Sequence, residues 1–129
     1  MRLVLYCTLK YYLYLGNWPD FKVEKSTGCS ISTMNDTALI YETPNPYLDN
    51  SECIVNFNCR DSLLLSYSIQ RFEIELHETC DYDYLVMNGN IYCDGTQPEL
   101  NGLLLNGSVS FTSDDYTGGA GFSMTVQCI

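Results

Sequence analysis

The sequence predicts an all-β sandwich formed by one domain. Polar and apolar residues alternate repeatedly from residue 37 onward, Asn-Gly pairs interrupt the alternation, and no window has the apolar spacing of an amphipathic helix. A chain of 129 residues is long enough to bury one core and too short for two domains of ordinary size. We therefore expect a single sandwich domain preceded by a short leader.

The alternation indicates strands that bury one face. In "GFSMTVQC" the side chains of Phe122, Met124 and Val126 alternate with polar ones, and "SLLLSYSI", "RFEIEL" and "SVSFTS" have the same period of two. A strand with this pattern covers a core with one face and meets solvent with the other. The apolar positions of these three segments are Leu63, Leu65, Tyr67 and Ile69; Phe72, Ile74 and Leu76; Val109 and Phe111.

The segments between the predicted strands have turn composition. Asn88-Gly89 separates "YDYLVM" from "NIYC", and this dipeptide between two strands is a strong signal for a tight hairpin. Asn106-Gly107 is a second position suited to positive φ. "PNPYLDN" at 44–50 and "DDYTGGAG" at 114–121 are interpreted as loops.

The charge of the chain limits its partners. The formal net charge is -10 and the pI is near 4.1, which excludes nucleic acid and anionic membranes as expected partners because phosphate recognition depends on Lys and Arg. Cations and basic protein surfaces are the complementary partners. No apolar run approaches the roughly 18 to 20 residues needed to span a membrane, so no membrane span is predicted.

The cysteines indicate an oxidising compartment. Cys7 lies near the N-terminus, and the other six form an even set with no CxxC pair, while His77 is the only histidine. The spacings of structural zinc are therefore missing, and a disulfide framework in a secreted protein is expected, with several connectivities open. The sequons at Asn35 and Asn106 are compatible with secretion and are the predicted glycosylation sites.

Residues 1–28 are interpreted as a leader and residues 29–129 as the domain. A basic start followed by an apolar run resembles a secretory signal, but Lys10 interrupts the run and no small-x-small cleavage site follows. A degraded signal and a wrongly assigned first exon both fit this segment. Cys7 is expected to remain unpaired and to be lost with the leader.

The chain has no enzyme motif. It contains neither HExxH nor GxSxG, and no cysteine is free to act as a nucleophile beside a histidine. Paired carboxylates can hydrolyse glycosides, but their spacing here fits metal ligation better and nothing indicates a sugar cleft. We expect a protein that is not an enzyme.

Ordered motifs along the chain carry a family resemblance. "PNPYLDNSEC", "LLLSYSIQRFEIELHETCDYDYLVM", "YCDG" and "VSFTSDDYTGGAGFSMTV" follow one another between Cys29 and Cys128. In this order they resemble a CUB domain, the extracellular module whose fold is a jelly-roll β-sandwich of two antiparallel sheets. The resemblance covers nearly the whole predicted domain, and its most specific parts are "FEIEL...CDYDYLV" and "FTSD...GF".

The resemblance implies a calcium ion at one end of the sandwich. Calcium takes about 6 to 8 oxygen ligands, and crowded carboxylates raise one another's pKa unless a cation neutralises them. Two plainer interpretations remain open: Glu75 is a solvated outward position, and Asp83 and Asp114 cap turns. The residues that the family pattern assigns to the ion are Tyr47, Glu75, Asp83 and Asp114, with Asp115 offering a carbonyl.

The resemblance also implies the disulfide pairing. Cys29–Cys53 and Cys80–Cys93 match the two bridges of the family, which leaves Cys59 with Cys128. The Cys80–Cys93 bridge is expected to close the hairpin that carries Asp83.

The function implied by the resemblance is recognition of an extracellular protein with an exposed Lys or Arg, in a calcium-dependent way and without catalysis. Two alternatives are kept: an accessory module of a larger secreted protease, and a calcium-independent adhesion module that binds glycans. Position 116 is often a small polar residue in calcium-binding members and is Tyr here. The predicted partner-binding residues are Tyr47, Glu75, Asp114 and Tyr116.

Overall fold

The computed structural model describes residues 18–35, 37–115 and 118–129, so Cys7 and Tyr116 lie outside the described residues. This part of the chain forms ten strands and contains no helix that is long and apolar enough to cross a membrane. The strands are β1 (Asp20–Thr27), β2 (Ser30–Thr33), β3 (Ala38–Glu42), β4 (Glu52–Asn58), β5 (Leu65–Glu73), β6 (Tyr84–Met87), β7 (Asn90–Tyr92), β8 (Asn101–Leu103), β9 (Ser108–Thr112) and β10 (Gly121–Cys128).

The strands form two five-stranded antiparallel sheets, which confirms the predicted sandwich. Sheet A has the order β1-β4-β9-β6-β7, and sheet B has the order β2-β3-β10-β5-β8. Consecutive strands often belong to different sheets, as β3, β4, β5 and β6 do. The chain therefore crosses repeatedly from one sheet to the other. The layers pack face to face because each presents one apolar surface.

The core lies between the central strands of the two sheets. Phe122, Met124 and Val126 of β10 are fully buried, as their alternation predicts. The ring of Phe122 lies 5.2 Å from that of Tyr41 on β3 and 5.4 Å from that of Phe111 on β9. This aromatic group spans the space between the sheets, where such rings bury large areas and pack edge to face.

Strand β5 contains a β-bulge that explains an irregularity of the sequence. Ile69 pairs with Met124 and Arg71 pairs with Ser123, so the intervening Gln70 has no partner on β10. One extra residue moves all following side chains to the opposite face. The inward positions therefore change from odd to even numbers along one continuous strand: Leu65, Tyr67 and Ile69 precede the bulge, and Phe72 and Ile74 follow it.

The predicted alternation extends too far at both ends of this strand. Leu63 and Leu76 were expected on the apolar face, but both lie outside β5 and are 39% and 75% exposed. Beyond the strand the backbone leaves the pleated geometry, so the period of two no longer determines which side chains are inward.

Strand β1 lies within the segment 1–28, which was expected to be a leader that precedes the domain. Phe21 pairs with Phe57 of β4, and the register continues to Thr27, with an irregularity between Val23 and Lys25. This edge strand exposes most of its side chains, so its sequence lacks a clear apolar alternation. Residues 20–27 are nonetheless part of sheet A.

Three disulfides join the pairs that the resemblance implied. Cys29–Cys53 attaches the β1–β2 connection to β4, and Cys80–Cys93 joins the segments on either side of the β6–β7 hairpin. The predicted Asn88-Gly89 turn closes this hairpin with φ values of 55° and 75°. The third bridge, Cys59–Cys128, connects the end of β4 in sheet A with the end of β10 in sheet B.

Candidate metal centre

Antiparallel pairing gathers three connections at one end of the sandwich. Thr112, the last residue of β9, pairs with Glu52 at the start of β4 and with Tyr84 at the start of β6. On sheet B, Glu73 at the end of β5 pairs with Gly121 at the start of β10. The segments 43–51, 74–83 and 113–120 therefore meet at the same end.

Three carboxylates from these segments converge. One oxygen from each of Glu75, Asp83 and Asp114 lies within 4.8 Å of the other two, and we call these three residues the acid cluster. Asp83 is almost completely buried, with 1% of its surface exposed, whereas Glu75 and Asp114 are half-buried. Three acidic groups at such distances repel one another when all are ionised.

Tyr47 connects two members of the acid cluster. Its ring is buried and packs edge to face on Phe111, with 5.2 Å between the ring centroids. Its hydroxyl donates to Oδ2 of Asp83 at 2.5 Å and accepts the backbone N–H of Glu75 at 3.2 Å. A hydroxyl can do both at once, so one atom fixes the positions of two strand ends.

Asp83 receives hydrogen bonds at both oxygens. Besides the Tyr47 hydroxyl on Oδ2, Oδ1 accepts the backbone N–H of Asp114 at 2.8 Å. Each carboxylate oxygen has two lone pairs, so both retain an acceptor site that can face a cation. The buried carboxylate is therefore oriented by protein donors without being fully satisfied by them.

Burial and nearby negative charge raise the pKa of Glu75 and of Asp83. Burial is the largest cause for Asp83, where the hydrogen bonds from Tyr47 and Asp114 act in the opposite direction. The pKa of Glu75 is also raised. Burial is again the largest cause, followed by the charges of Asp83 and Asp114. The pKa of Tyr47 is raised as well, chiefly by burial, so its hydroxyl remains a neutral donor.

The donor set fits a hard cation such as calcium. Oε1 of Glu75 is buried and has no hydrogen-bond partner among the described residues. A buried carboxylate oxygen without a partner destabilises the folded state, because it has lost its hydration and no hydrogen bond replaces it. Oxygen ligands of this kind are those that calcium prefers.

A comparison with family models decides the identity of the fold. The model described as CUB domain matches residues 28–125, about three quarters of the chain. The chain belongs to the CUB domain family. CUB domains are modules of extracellular proteins that mediate protein interactions and are generally non-catalytic.

Solved structures agree with this CUB fold. The chain is similar to a structure described as the CUB1-EGF-CUB2 domain of human MASP-1/3, with a TM-score of 0.58 and 20% sequence identity. The similarity covers 79% of this chain and 48% of that chain, so this CUB domain spans about half of the structure it matches. A search of curated proteins found no significant match.

Two buried serines of the CUB domain hold the site loops together and were missed in the sequence. The Ser113 hydroxyl donates to the carbonyl of Leu48 at 2.8 Å and accepts the backbone N–H of Ser51 at 2.8 Å. The Ser51 hydroxyl donates to the same carbonyl at 2.7 Å. The feature of the sequence that could have indicated this role is the position of Ser113 directly before Asp114 in "FTSD".

Glu73 also contributes to the site, although its place in the alternating "RFEIEL" segment gave no sign of this. Its Oε1 accepts the backbone N–H of Ala120 at 2.8 Å, and the neighbouring Gly119 carbonyl accepts the N–H of Tyr47 at 3.1 Å. Glu73 thus tethers the 113–120 loop, which in turn contacts the segment that carries Tyr47. An alternating strand pattern cannot reveal a contact to a loop 47 residues away.

Asp115, which was expected to offer a carbonyl, is exposed, and its carboxylate is not a member of the acid cluster. Asp81 is also exposed, and His77 holds the adjoining turn by accepting the backbone N–H groups of Thr79 and Asp81 on Nδ1. Tyr116, the fourth predicted partner contact, is outside the described residues.

Proposed function

We propose that this CUB domain is an extracellular recognition module that binds calcium and captures a lysine or arginine side chain of a partner protein beside the ion. One observation carries the proposal: three carboxylates from two separate segments converge within 4.8 Å, and Oε1 of Glu75 is buried without a partner among the described residues. Calcium bound there would neutralise carboxylates that otherwise repel one another.

Each residue of the site has a part in this proposal. Glu75, Asp83 and Asp114 supply carboxylate oxygens, and Tyr47 orients Asp83 through its hydroxyl. A carbonyl of Asp115 remains a proposed further ligand. Asp83 and Tyr47 are buried, so their part is to hold the ion and the loops in place. Glu75 and Asp114 are half-buried, so a partner can contact them.

Capture of a basic side chain follows from the same arrangement. Carboxylates fixed in place by hydrogen bonds and neighbouring loops meet an ammonium or guanidinium group with little reorganisation, and charged hydrogen bonds of this kind are strong. The net charge of -10 also attracts a basic surface over longer distances. The proposed partner is therefore an extracellular protein with an exposed lysine or arginine.

The extracellular location is supported by the cysteine chemistry. Three disulfides within the described residues require an oxidising compartment to form and persist. We include glycosylation at Asn35 and Asn106 in the proposal, since both asparagines are exposed. The module could belong to a larger secreted protein, as the similarity to a structure with two CUB domains illustrates.

The test of calcium binding is the thermal unfolding midpoint of the oxidised full chain in calcium and in chelator. A ligand at 100 times its dissociation constant adds about 2.7 kcal/mol to the free energy of unfolding. For a domain of this size, that energy raises the midpoint by several degrees. We expect the rise in the wild type and its loss in Asp83→Asn. Asp81→Asn removes an exposed charge two residues away and should keep the rise.

Absence of any shift at millimolar calcium would remove the metal from the proposal and leave the CUB fold intact. The alternative of calcium-independent adhesion would then lead, and glycan binding that persists in chelator would support it. An equal loss in the Asp81→Asn and Asp83→Asn variants would show that net charge matters rather than the acid cluster.

The test of partner capture uses a lysine-presenting probe. We expect the protein to bind immobilised polylysine more strongly in calcium than in chelator, and to lose this calcium-dependent component when the lysines are acetylated. Glu75→Ala should abolish the component, whereas Glu78→Ala, which removes an exposed charge nearby, should retain it. Undiminished binding by Glu75→Ala would contradict the proposed mechanism.

A further inference from the structure

The end of the sandwich opposite the acid cluster exposes a group of leucines. It is formed by the end of β4, the start of β5 and the start of β9, whereas the acid cluster lies at the other ends of these strands. Leu64 and Leu105 are 56% and 80% exposed. Leu63 and Leu103 are each 39% exposed. Exposed apolar side chains that lie together mark interaction sites on many proteins.

These side chains line a groove of about 300 Å³, which we call the leucine groove. Its floor includes Phe57 and Leu65, and the exposed Leu63, Leu64, Leu103 and Leu105 form its sides. Asn106, the asparagine of the sequon "NGS", is part of the same wall. A possible attachment point for a sugar chain therefore lies within the apolar surface itself.

The local geometry leaves the Asn106 side chain available for modification. Asn106 is exposed and precedes Gly107, which has a φ of 76° and packs against the end of β4. Oδ1 of Asn106 accepts the backbone N–H of Ser108 at 3.1 Å. Nδ2, the atom that carries an N-linked sugar, makes no hydrogen bond to the described residues. The turn thus fixes the amide and leaves its nitrogen without a hydrogen bond to the described residues.

We propose that an N-linked glycan on Asn106 covers the leucine groove, with its first N-acetylglucosamine packed on the leucines. A pyranose ring presents a face of C–H groups that can bury apolar surface, while its hydroxyl and amide edges remain in water. The glycan thereby replaces an exposed apolar patch by a polar one and prevents self-association. This inference depends on the extracellular location proposed above.

Asn35 provides an internal comparison. It is also an exposed sequon asparagine in an equivalent turn, in which Oδ1 accepts the backbone N–H groups of Thr37 and Ala38. Its neighbour Met34 is exposed, but Asn35 does not line the leucine groove. A glycan on Asn35 should therefore have no effect on the exposure of the leucines.

The experiment compares the full chain, secreted from glycosylating cells behind a cleavable signal, with Asn106→Asp and Asn35→Asp. Aspartate keeps the Oδ1 acceptor of each turn and adds the same charge in both variants. Intact mass gives the occupancy of each site. Nile red fluorescence reports exposed apolar surface, and analytical ultracentrifugation reports self-association. We expect Asn106→Asp to bind Nile red severalfold more strongly and to self-associate, and Asn35→Asp to match the wild type.

Enzymatic trimming of the folded protein avoids any effect of a variant on folding. Cleavage that leaves one N-acetylglucosamine should leave Nile red binding unchanged, and complete removal of the glycan should raise it severalfold. An unoccupied Asn106 in the secreted protein would overturn the inference. So would equal Nile red binding before and after complete removal, which would mean that the sugar does not cover the groove. Either result leaves the calcium proposal untouched, because its test measures the midpoint shift at the other end.

Discussion

At the scale of single residues, the Tyr47 hydroxyl connects three segments of the site. It donates to Asp83 and accepts from the backbone of Glu75, so it joins the start of β6, the end of β5 and the loop before β4. The buried ring fixes the hydroxyl, because its contact with Phe111 leaves little freedom. The position of the acid cluster therefore depends on a neutral residue.

Replacing Tyr47 by Phe should separate packing from hydrogen bonding. The ring and its contact with Phe111 remain, but the N–H of Glu75 loses its acceptor and Asp83 loses a donor. We expect the free energy of unfolding in chelator to fall by about 1 to 3 kcal/mol. The rise caused by calcium should shrink as well. Urea unfolding with and without calcium measures both effects.

Tyr84→Phe is the matched control, since Tyr84 is half-buried against the core and its hydroxyl makes no hydrogen bond within the described part of the chain. It should change neither quantity appreciably. Equal effects of the two substitutions would show that the Tyr47 hydroxyl does not hold the acid cluster together.

The raised pKa values of Glu75 and Asp83 predict an unusual dependence of stability on pH. In chelator, the folded protein takes up protons on these groups at a higher pH than the unfolded chain does. The free energy of unfolding should therefore rise as the pH falls through the folded pKa values, and stop rising below the ordinary carboxyl values near 4. Thermal unfolding from about pH 7.5 down to about pH 4 in chelator measures this.

The double variant Glu75→Gln with Asp83→Asn should flatten that dependence. Glu78→Gln with Asp81→Asn removes the same charge from exposed positions and should keep it. Both double variants retain His77. A dependence that persists unchanged without Glu75 and Asp83 would assign it to other groups.

At the scale of elements, the two Asn-Gly turns share a left-handed glycine but have different surroundings. Gly89 and Gly107 have φ values of 75° and 76°. A Cβ at Gly89 would meet nothing within 4 Å, whereas one at Gly107 would lie 2.3 Å from the carbonyl oxygen of Phe57. The first turn needs glycine for its conformation alone, and the second also needs it for the close approach of β4.

Alanine at each of these glycines should separate the two requirements. Gly89→Ala should lower the free energy of unfolding by about 1 to 2 kcal/mol, the cost of a left-handed residue with a Cβ. Gly107→Ala should cost clearly more, because the Phe57 carbonyl belongs to the backbone and also lies next to the hydrogen bond from the N–H of Phe57 to the Gly107 carbonyl. Chemical denaturation of both variants measures the difference. Equal costs would mean that the turn moves away from β4 freely.

At the scale of the whole molecule, the Cys59–Cys128 bridge joins the two sheets and encloses most of the domain. It spans 69 residues, whereas Cys80–Cys93 spans 13. Loop entropy gives contributions of roughly 4 and roughly 3 kcal/mol to the free energy of unfolding. Replacing both cysteines of each pair by serine should therefore destabilise the protein more at the long bridge.

Unfolding in urea would measure this order, with the Cys80–Cys93 variant as the reference. The reverse order would show that local anchoring of the 74–83 segment outweighs the entropy of the unfolded chain. In that case the short bridge would be the main stabiliser of the end that carries Asp83.

Much of this molecule could be predicted from its sequence, and the exceptions have physical reasons. The alternation identifies the strands that face the core, such as β9 and β10, because half-buried strands have to alternate. Edge strand β1 exposes most of its side chains and has no such pattern. The Gln70 bulge changes the phase inside β5, so two runs of opposite parity form one strand.

The sequence motifs predict which carboxylates form the acid cluster, but not the contacts that position them. The motifs around Glu75, Asp83 and Asp114 predict oxygen ligands, and the structure brings these three together. The unpartnered Oε1 of Glu75 and the tether from Glu73 to Ala120 depend on how separate segments meet. No periodicity within one strand contains that information, because it arises from the packing of the two sheets.

The bulge at Gln70 should tolerate substitution of this residue far better than its deletion. Gln70 is exposed, and its side chain makes only long hydrogen bonds of 3.3 and 3.4 Å to Ser68 and Thr125. Most missense changes at this codon should therefore be nearly neutral. Loss of the codon would turn Phe72 and Ile74 outward and displace the end of β5 that precedes the acid cluster. What the fold requires at this position is one residue of chain length, with almost no restriction on its identity.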